Sequence, residues 1–196
     1  METETSYILT ISKDTNSDVS VTRTYSAIAT NGFVYNGDAV YSGDKLKIAF
    51  TSKQNHSVDV HKVNGEIFVS GNTYSVSGDV NIQVTSYPLV STISAKDAYI
   101  GSGSRIVIEK RAPVAYHSIR YTFGDLTGYV SSSGLPVETE DIYADVNIDF
   151  IIPSEFYRAL GDSTSSKCTL YCQTYADSLG DTMIGGTTSC EFLVQS

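Results

Sequence analysis

The chain has 196 residues, which suits one large domain or two small ones. Hydrophobic residues make up 41% of it and charged residues 18%, a balance typical of folded rather than disordered proteins. Thirteen basic and twenty-two acidic residues give a net charge of −9, which argues against a nucleic-acid partner because an acidic surface repels the phosphate backbone.

The sequence predicts neither a membrane span nor a secretory signal. No apolar run approaches the roughly 20 residues that a membrane helix needs. The first six residues are polar and acidic, unlike a signal peptide. We therefore expect synthesis in the cytoplasm and no membrane partner.

The first half of the chain has the period-two alternation of apolar and polar residues that predicts strands. Asn64-Gly65 between two such runs is the strongest short signal for a hairpin. Other turns are predicted at residues 14–18, 41–44 and 78–79. The predicted strands are residues 7–11, 19–23, 45–50, 58–63, 67–69 and 80–84.

A boundary between two modules is predicted at Tyr87-Pro88. Proline cannot donate to a strand ladder and holds the residue before it in an extended conformation. A short rigid connector at this point divides the chain into modules at residues 1–87 and 88–196.

The second half carries strands separated by turns at the spacing of a β-sandwich. One helix is predicted at residues 153–160, with Pro153 at its first position, Glu155 in its first turn and Gly161 after its end. The predicted strands are residues 90–95, 105–111, 116–123, 126–131, 143–152, 167–175 and 183–194.

The turn at residues 14–18 resembles the opening of a calcium loop. Asp14, Asn16 and Asp18 place oxygen-bearing side chains at alternate positions. The pattern is incomplete, because Val19 stands where such a loop needs glycine and Tyr25 where it needs a bidentate glutamate. A polar hairpin tip explains the same residues, and both readings stay open.

An acidic series, Asp141, Asp145 and Asp149, is predicted to lie on one face of one strand. Strand rise spreads the series over more than about 25 Å, whereas catalytic carboxylate pairs lie roughly 5–9.5 Å apart. We expect a solvated outer face. The apolar residues between the aspartates are expected to face inward: Val146, Ile148 and Phe150.

Nucleophilic catalysis is not predicted from the three histidines, His56, His61 and His117. None of them stands beside a nucleophile elbow. Ser118 adjoins His117, but neighbours on a strand point to opposite faces. The sequence also lacks phosphate-loop, dinucleotide-binding and zinc-binding spacings. We expect no enzyme, no catalytic or metal-binding residue and no cofactor.

The three cysteines cluster near the end of the chain. Cys168 and Cys172 share one strand face but lie about 13 Å apart by strand rise. A hairpin centred near Leu179 places Cys190 opposite Cys168, so a disulfide between them is possible, although buried free thiols are the default expectation. Tyr175 is a candidate for a tyrosine corner.

Several blocks of the second half carry a family resemblance. They are residues 103–108 (GSRIVI), 116–128 (YHSIRYTFGDLTG), 152–153 (IP), 168–175 (CTLYCQTY) and 184–188 (IGGTT). Their order and spacing across residues 90–194 resemble the C-terminal β-sandwich region of minor structural (tail) proteins of siphophages that infect Gram-positive bacteria. Phe150 departs from the family, in which a tryptophan is expected.

Blocks of the first half are similar to the internalin-type B-repeat. They are residues 40–46 (VYSGDKL), 63–65 (VNG) and 74–80 (YSVSGDV). The two resemblances together imply an all-β chain, in which a small β-grasp-like module is followed by an immunoglobulin-like β-sandwich.

The resemblances imply a non-enzymatic virion protein, namely a minor tail or tail-tip component made in the bacterial host cytoplasm. Its implied partners are other tail proteins, further copies of itself, and a host-surface glycan or protein. The alternatives are a host-surface or carbohydrate-binding module, a capsid decoration protein, and a glycan hydrolase with a hidden carboxylate pair. Fourteen tyrosines and no tryptophan suit an interface and a strand-rich fold equally.

Overall fold

The structure, a computed structural model, describes residues 5–196. Within them it contains eighteen strands and one helix, which confirms the prediction of an all-β chain. The helix is five residues long, and no helix in the described part of the chain is long and apolar enough to cross a membrane. The chain divides after Pro88 into two compact units.

Unit 1 contains every strand predicted for the first half and three further short ones. Its strands are β1 (Ser6–Lys13), β2 (Ser17–Tyr25), β3 (Gly32–Phe33), β4 (Ala39–Tyr41), β5 (Lys45–Ser52), β6 (His56–Val63), β7 (Glu66–Ile67), β8 (Thr73–Ser75) and β9 (Val80–Pro88).

Two sheets of unit 1 enclose one hydrophobic core. The five-stranded sheet has the order β4-β1-β9-β6-β7, and the four-stranded sheet has the order β3-β2-β5-β8. Strands β1 and β9, the first and last of the unit, lie side by side and parallel, with Leu9 opposite Val80. Alternate residues of both sheets meet in the core, such as Leu9 and Val84 from one and Leu46 and Ile48 from the other.

The predicted connector at Tyr87-Pro88 is wrong. Both residues belong to β9, where they pair with Ser57 and His56 of β6. Proline is tolerated because the pairing of β9 with β1 ends at Val84, so that side of β9 is a free edge at Pro88. The strand therefore runs to the end of unit 1.

A buried ion pair lies at one end of the β2–β5 pairing in unit 1. Arg23 Nε donates to Asp44 Oδ2 at 2.8 Å, and the side chains are 10% and 0% exposed. The same carboxylate oxygen accepts the backbone N–H of Tyr41, and Arg23 also donates to the Ala39 carbonyl at 2.7 Å. These bonds tie β2 to the β4–β5 turn.

Unit 2 contains one strand for each of the seven predicted in the second half. Its elements are β10 (Thr92–Ala95), β11 (Ala98–Tyr99), β12 (Gly103–Glu109), β13 (Tyr116–Phe123), β14 (Leu126–Val130), β15 (Pro136–Val137), β16 (Asn147–Ile151), α1 (Phe156–Leu160), β17 (Ser165–Tyr175) and β18 (Thr188–Gln195).

Unit 2 is a β-sandwich, as predicted. A six-stranded sheet has the order β11-β18-β17-β13-β14-β15, and a three-stranded sheet has the order β10-β12-β16. Ile106 and Phe150 from the smaller sheet share one core with Ile119 and Leu170 from the larger one.

The helix is shorter than predicted but ends where expected. It spans Phe156–Leu160, and Gly161 after it has a φ of 58°. Phe156 is buried and stacks on Phe123 of β13, with ring centroids 4.2 Å apart. The stacking anchors the helix on the core.

The free edge of β16 is covered by the turn that follows β14. In this turn the Gly134 carbonyl accepts the N–H of Ile151 at 2.9 Å. Gly134 has a φ of 82°, and a Cβ built there lies 2.0 Å from the Asp149 carbonyl oxygen. Only glycine allows this approach, which satisfies an edge that is otherwise open to another chain.

We expect Gly134→Ala to lower the free energy of unfolding by about 3 kcal/mol, because the left-handed backbone costs about 1–2 kcal/mol and the clash with Asp149 adds to it. Urea denaturation measures this loss. Gly101→Ala is the matched control, since Gly101 has a φ of 83° and nothing within 4 Å of its Cβ position. Equal losses in the two variants would contradict the close approach.

We expect Arg23→Met to destabilise unit 1 by about 3–5 kcal/mol, because it leaves the Asp44 carboxylate buried without its charged partner. The urea midpoint of unit 1 measures the effect. Lys13→Met is the control: it removes the exposed Lys13–Asp18 pair and should leave the midpoint nearly unchanged. A small effect of Arg23→Met would show that the pair does not hold the unit together.

Candidate functional site

The predicted acidic turn connects β1 of the five-stranded sheet to β2 of the four-stranded sheet, and it is not a hairpin tip because these two strands do not pair. Asp14 accepts the backbone N–H groups of Ser86 at 2.6 Å and Asn16 at 2.8 Å, and the Ser86 bond is the main cause of its lowered pKa. Asp18 pairs with Lys13. Residues 5–196 contain no group of three or more His, Cys, Asp or Glu side chains placed to hold a metal ion.

The prediction that Asp141, Asp145 and Asp149 share one strand is wrong. Strand β16 begins only at Asn147, so Asp149 alone lies on it. Asp149 pairs with Arg105 on the exposed face at 3.0 Å. Asp141, in the preceding loop, accepts the N–H of Ser132 at 2.9 Å. The inward residues are confirmed: Ile148 and Phe150 are buried and Val146 packs against the core.

The three predicted histidines lie apart. The ring Nδ1 of His56 is 3.1 Å from the Gln54 carbonyl oxygen, and that of His61 is 2.7 Å from the Phe68 carbonyl oxygen. Both rings therefore bond to backbone groups of neighbouring turns.

His117 forms a buried pair with Ser91 that the sequence did not predict, because the two residues are far apart along the chain. The His117 ring Nε2 lies 2.8 Å from Ser91 Oγ, and both residues are 0% exposed. Burial, together with the charge of Lys110, lowers the pKa of His117 to about 4. A substrate cannot reach this pair, so its geometry is structural.

The three cysteines are free thiols, and the predicted register is wrong by two residues. Cys190 lies opposite Leu170, and Cys168 lies opposite Phe192. Burial raises the pKa of Cys168 and Cys172 to about 12. Their role is packing in the core.

The predicted tyrosine corner at Tyr175 is also wrong. The Tyr175 hydroxyl donates to the Glu140 side chain at 2.8 Å. Tyr143 is the tyrosine that bonds to backbone here, because its buried hydroxyl donates to the Val130 carbonyl at 3.1 Å.

The outer face of the six-stranded sheet carries the strongest candidate site. The register places Tyr129, Arg120 and Tyr171 in one row across β14, β13 and β17, with their side chains on the face away from the core. The Arg120 guanidinium lies 4.7 Å from the centre of the Tyr171 ring. A cation held over an aromatic face in this way keeps a fixed orientation.

A second row lies beside the first, towards the end of β17. Ser118 and Gln173 are paired across β13 and β17, and Tyr175 follows on β17. Ser118 and Tyr175 both donate to Glu140 Oε1 from positions that are 3% and 7% exposed. Glu140, on the loop after β15, thus closes one side of a depression of about 190 Å³.

We name this surface the tyrosine face. It is formed by Arg120, Tyr129, Glu140, Tyr171, Gln173 and Tyr175. Gln173 is held by the Thr187 hydroxyl, which donates to its Oε1 at 2.9 Å. The only sequence signal for this face was the abundance of tyrosine.

A larger depression, of about 350 Å³, lies beside α1 and is a weaker candidate. Its charged side chains, Asp125, Glu155 and Arg158, are all exposed. None of the three side chains forms a hydrogen bond or ion pair within residues 5–196. A binding site needs polar groups held in place, and in the tyrosine face hydrogen bonds hold Glu140 and Gln173.

Fold and site together define an all-β protein with two compact units and a polar, aromatic face on the second. The family described as "Siphovirus protein of unknown function (DUF859)" matches residues 47–194, and the chain belongs to this family. The match spans part of unit 1 and nearly all of unit 2. No curated protein matches the chain.

Solved structures are similar to the chain only at a distance. A DUF3823 family protein from Bacteroides ovatus is 13% identical over 98% of this chain and 94% of that one, with a TM-score of 0.28. One from Parabacteroides merdae is 10% identical over 95% and 98%, with a TM-score of 0.28. The full-length major pilin SpaD from Corynebacterium diphtheriae is 10% identical over 97% and 64%, with a TM-score of 0.25.

The buried His117 should make the stability of unit 2 depend on pH. Its folded pKa of about 4 lies below the ordinary value of 6.5, so protons bind the unfolded state more tightly. The stabilisation is complete above pH 6.5 and is lost as the pH falls towards 4. Between pH 7.5 and pH 4.5, the urea midpoint of unit 2 should therefore fall further for the wild type than for His117→Gln. Parallel declines would contradict a neutral buried imidazole.

Proposed function

We propose that the chain is a non-enzymatic structural protein of the siphophage virion, located at the tail or tail tip. The observation that carries this proposal is membership of a siphovirus family over residues 47–194. The resemblance of the second half to minor tail proteins supports the tail in particular. The resemblance of unit 1 to B-repeat modules stays a prediction, and it fits a protein that works at a surface.

The strand edges support a role in assembly. Of the eight edge strands within residues 5–196, β3, β7, β11 and β15 have two residues each, and β4 and β8 have three each. Short edges offer little backbone for unwanted pairing with other chains. A protein held at high local concentration in a virion needs this protection.

Exposed aromatic residues on unit 1 support contact with neighbouring virion proteins or with further copies of the chain. Phe33 and Tyr35 are 68% and 66% exposed, and Tyr25 at the end of β2 is 56% exposed. Large exposed aromatic side chains are enriched at protein interfaces. Symmetric assembly would bury them.

The alternative of a host-surface or carbohydrate-binding module is favoured by one observation, the tyrosine face. The two functions are compatible, because tail-tip proteins meet the host envelope. Capsid decoration differs from both in its place on the virion.

Mass spectrometry of gradient-purified virions tests the proposal, followed by immunogold electron microscopy with an antibody against the full chain. We expect the chain in intact virions and gold at the distal tail. Its absence from purified virions overturns the proposal. Gold on the head replaces the tail assignment with capsid decoration.

A further inference from the structure

The tyrosine face has a cation that is positioned but unused. The Arg120 guanidinium lies over the Tyr171 ring at 4.7 Å. Among the residues that the structure describes, it forms no hydrogen bond and no ion pair. Its planar set of N–H donors is therefore available to a ligand, in an orientation that the stacking favours.

The opposite side of the tyrosine face has the Glu140 carboxylate, which is also held in place and also has bonding capacity left for a ligand. Glu140 Oε1 accepts from Ser118 and Tyr175, two hydroxyls that are almost fully buried. Glu140 Oε2 has no hydrogen-bond partner within residues 5–196. One oxygen holds the carboxylate in place, and the other remains free to accept from a ligand.

The dimensions of the tyrosine face follow from the geometry of the six-stranded sheet. Three neighbouring strands, β14, β13 and β17, span about 10 Å, and the four steps along β17 from Tyr171 to Tyr175 span about 13 Å. Aromatic rings thus stand on both sides of Arg120, since Tyr129 and Tyr171 are its two cross-strand neighbours.

The charges favour an uncharged ligand. Arg120 contributes one positive charge and Glu140 one negative charge, so the face is neutral within a chain of net charge −9. An anionic polymer meets no net attraction here. Ring faces that accept polarised C–H groups, beside a planar donor set and a free acceptor, complement a hydroxylated sugar ring.

We propose that the tyrosine face binds a neutral, pyranose-containing glycan of the bacterial surface. Tyr129 packs against a sugar ring, Arg120, stacked on Tyr171, donates to ring hydroxyls, and Glu140 Oε2 accepts from one. The glycan class follows from the face itself, and only its origin on a host cell rests on the proposed virion function.

A glycan array tests this inference. It carries neutral polysaccharides purified from Gram-positive cell walls and, beside them, polyglycerol-phosphate lipoteichoic acid. The probe is the fluorescently labelled full chain. We expect binding to at least one neutral polysaccharide. Arg120→Ala and Tyr171→Ala should each weaken it at least about tenfold, because hydrogen bonds to charged groups and aromatic contacts carry such sites.

Three further variants keep the result interpretable. Arg120→Lys retains the charge and loses the planar donor set, so it should also weaken binding without disturbing the fold. Arg105→Ala and Tyr99→Ala are matched controls, since both residues are exposed and lie outside the tyrosine face. Their binding should equal that of the wild type.

Several outcomes overturn the inference. These are no binding to any neutral polysaccharide, binding to lipoteichoic acid alone, and equal binding by the face variants and the wild type. If phages carrying Arg120→Ala incorporate less of the protein, the face contacts another virion protein instead. Virion proteomics is independent of the array, so a chain found in virions that binds no glycan keeps the proposed function and loses only this site.

Discussion

In both units, one face of each sheet is buried against a second sheet, and the rest of the structure depends on this burial. Because side chains alternate along a strand, a register shift of one residue would turn Ile106, Ile119 or Leu170 out of the core. Fixing the inner face also fixes the outer one. The row of Tyr129, Arg120 and Tyr171 exists because the residues beside them in sequence are locked inward.

Most strands were predictable, and the failures have physical causes. Residues 143–146 continue the alternation of β16, yet Tyr143 pairs with His117 of the larger sheet, so the chain is crossing between sheets there. The cysteine register was wrong although the tip of the β17–β18 connection is centred near Leu179, where Tyr175 pairs with Met183. Two extra residues between Met183 and Thr188 shift the register, so that Cys172 pairs with Thr188. At the tip, the Asp177 carboxylate accepts the N–H groups of Leu179, Asp181 and Thr182.

The candidate site could not be predicted from local sequence. Arg120, Glu140 and Tyr171 come from three separate segments, and polar residues on an outer sheet face have the same pattern whether they bind a ligand or only water. The sequence could limit the chemistry, since it has no nucleophile elbow and no complete metal loop. Convergence of side chains depends on strand order, which alternation does not specify.

The parallel pairing of β1 with β9 has a mechanical consequence. Five consecutive residue pairs, from Leu9–Val80 to Lys13–Val84, join the first strand of unit 1 to its last. Tension between the start of β1 and the end of β9 pulls these strands along their length in opposite directions. Their hydrogen bonds are then loaded in shear and must break together, whereas a hairpin pulled at its open end unzips one bond at a time. We therefore expect unit 1 to resist unfolding by such tension better than a unit whose terminal strands form a hairpin.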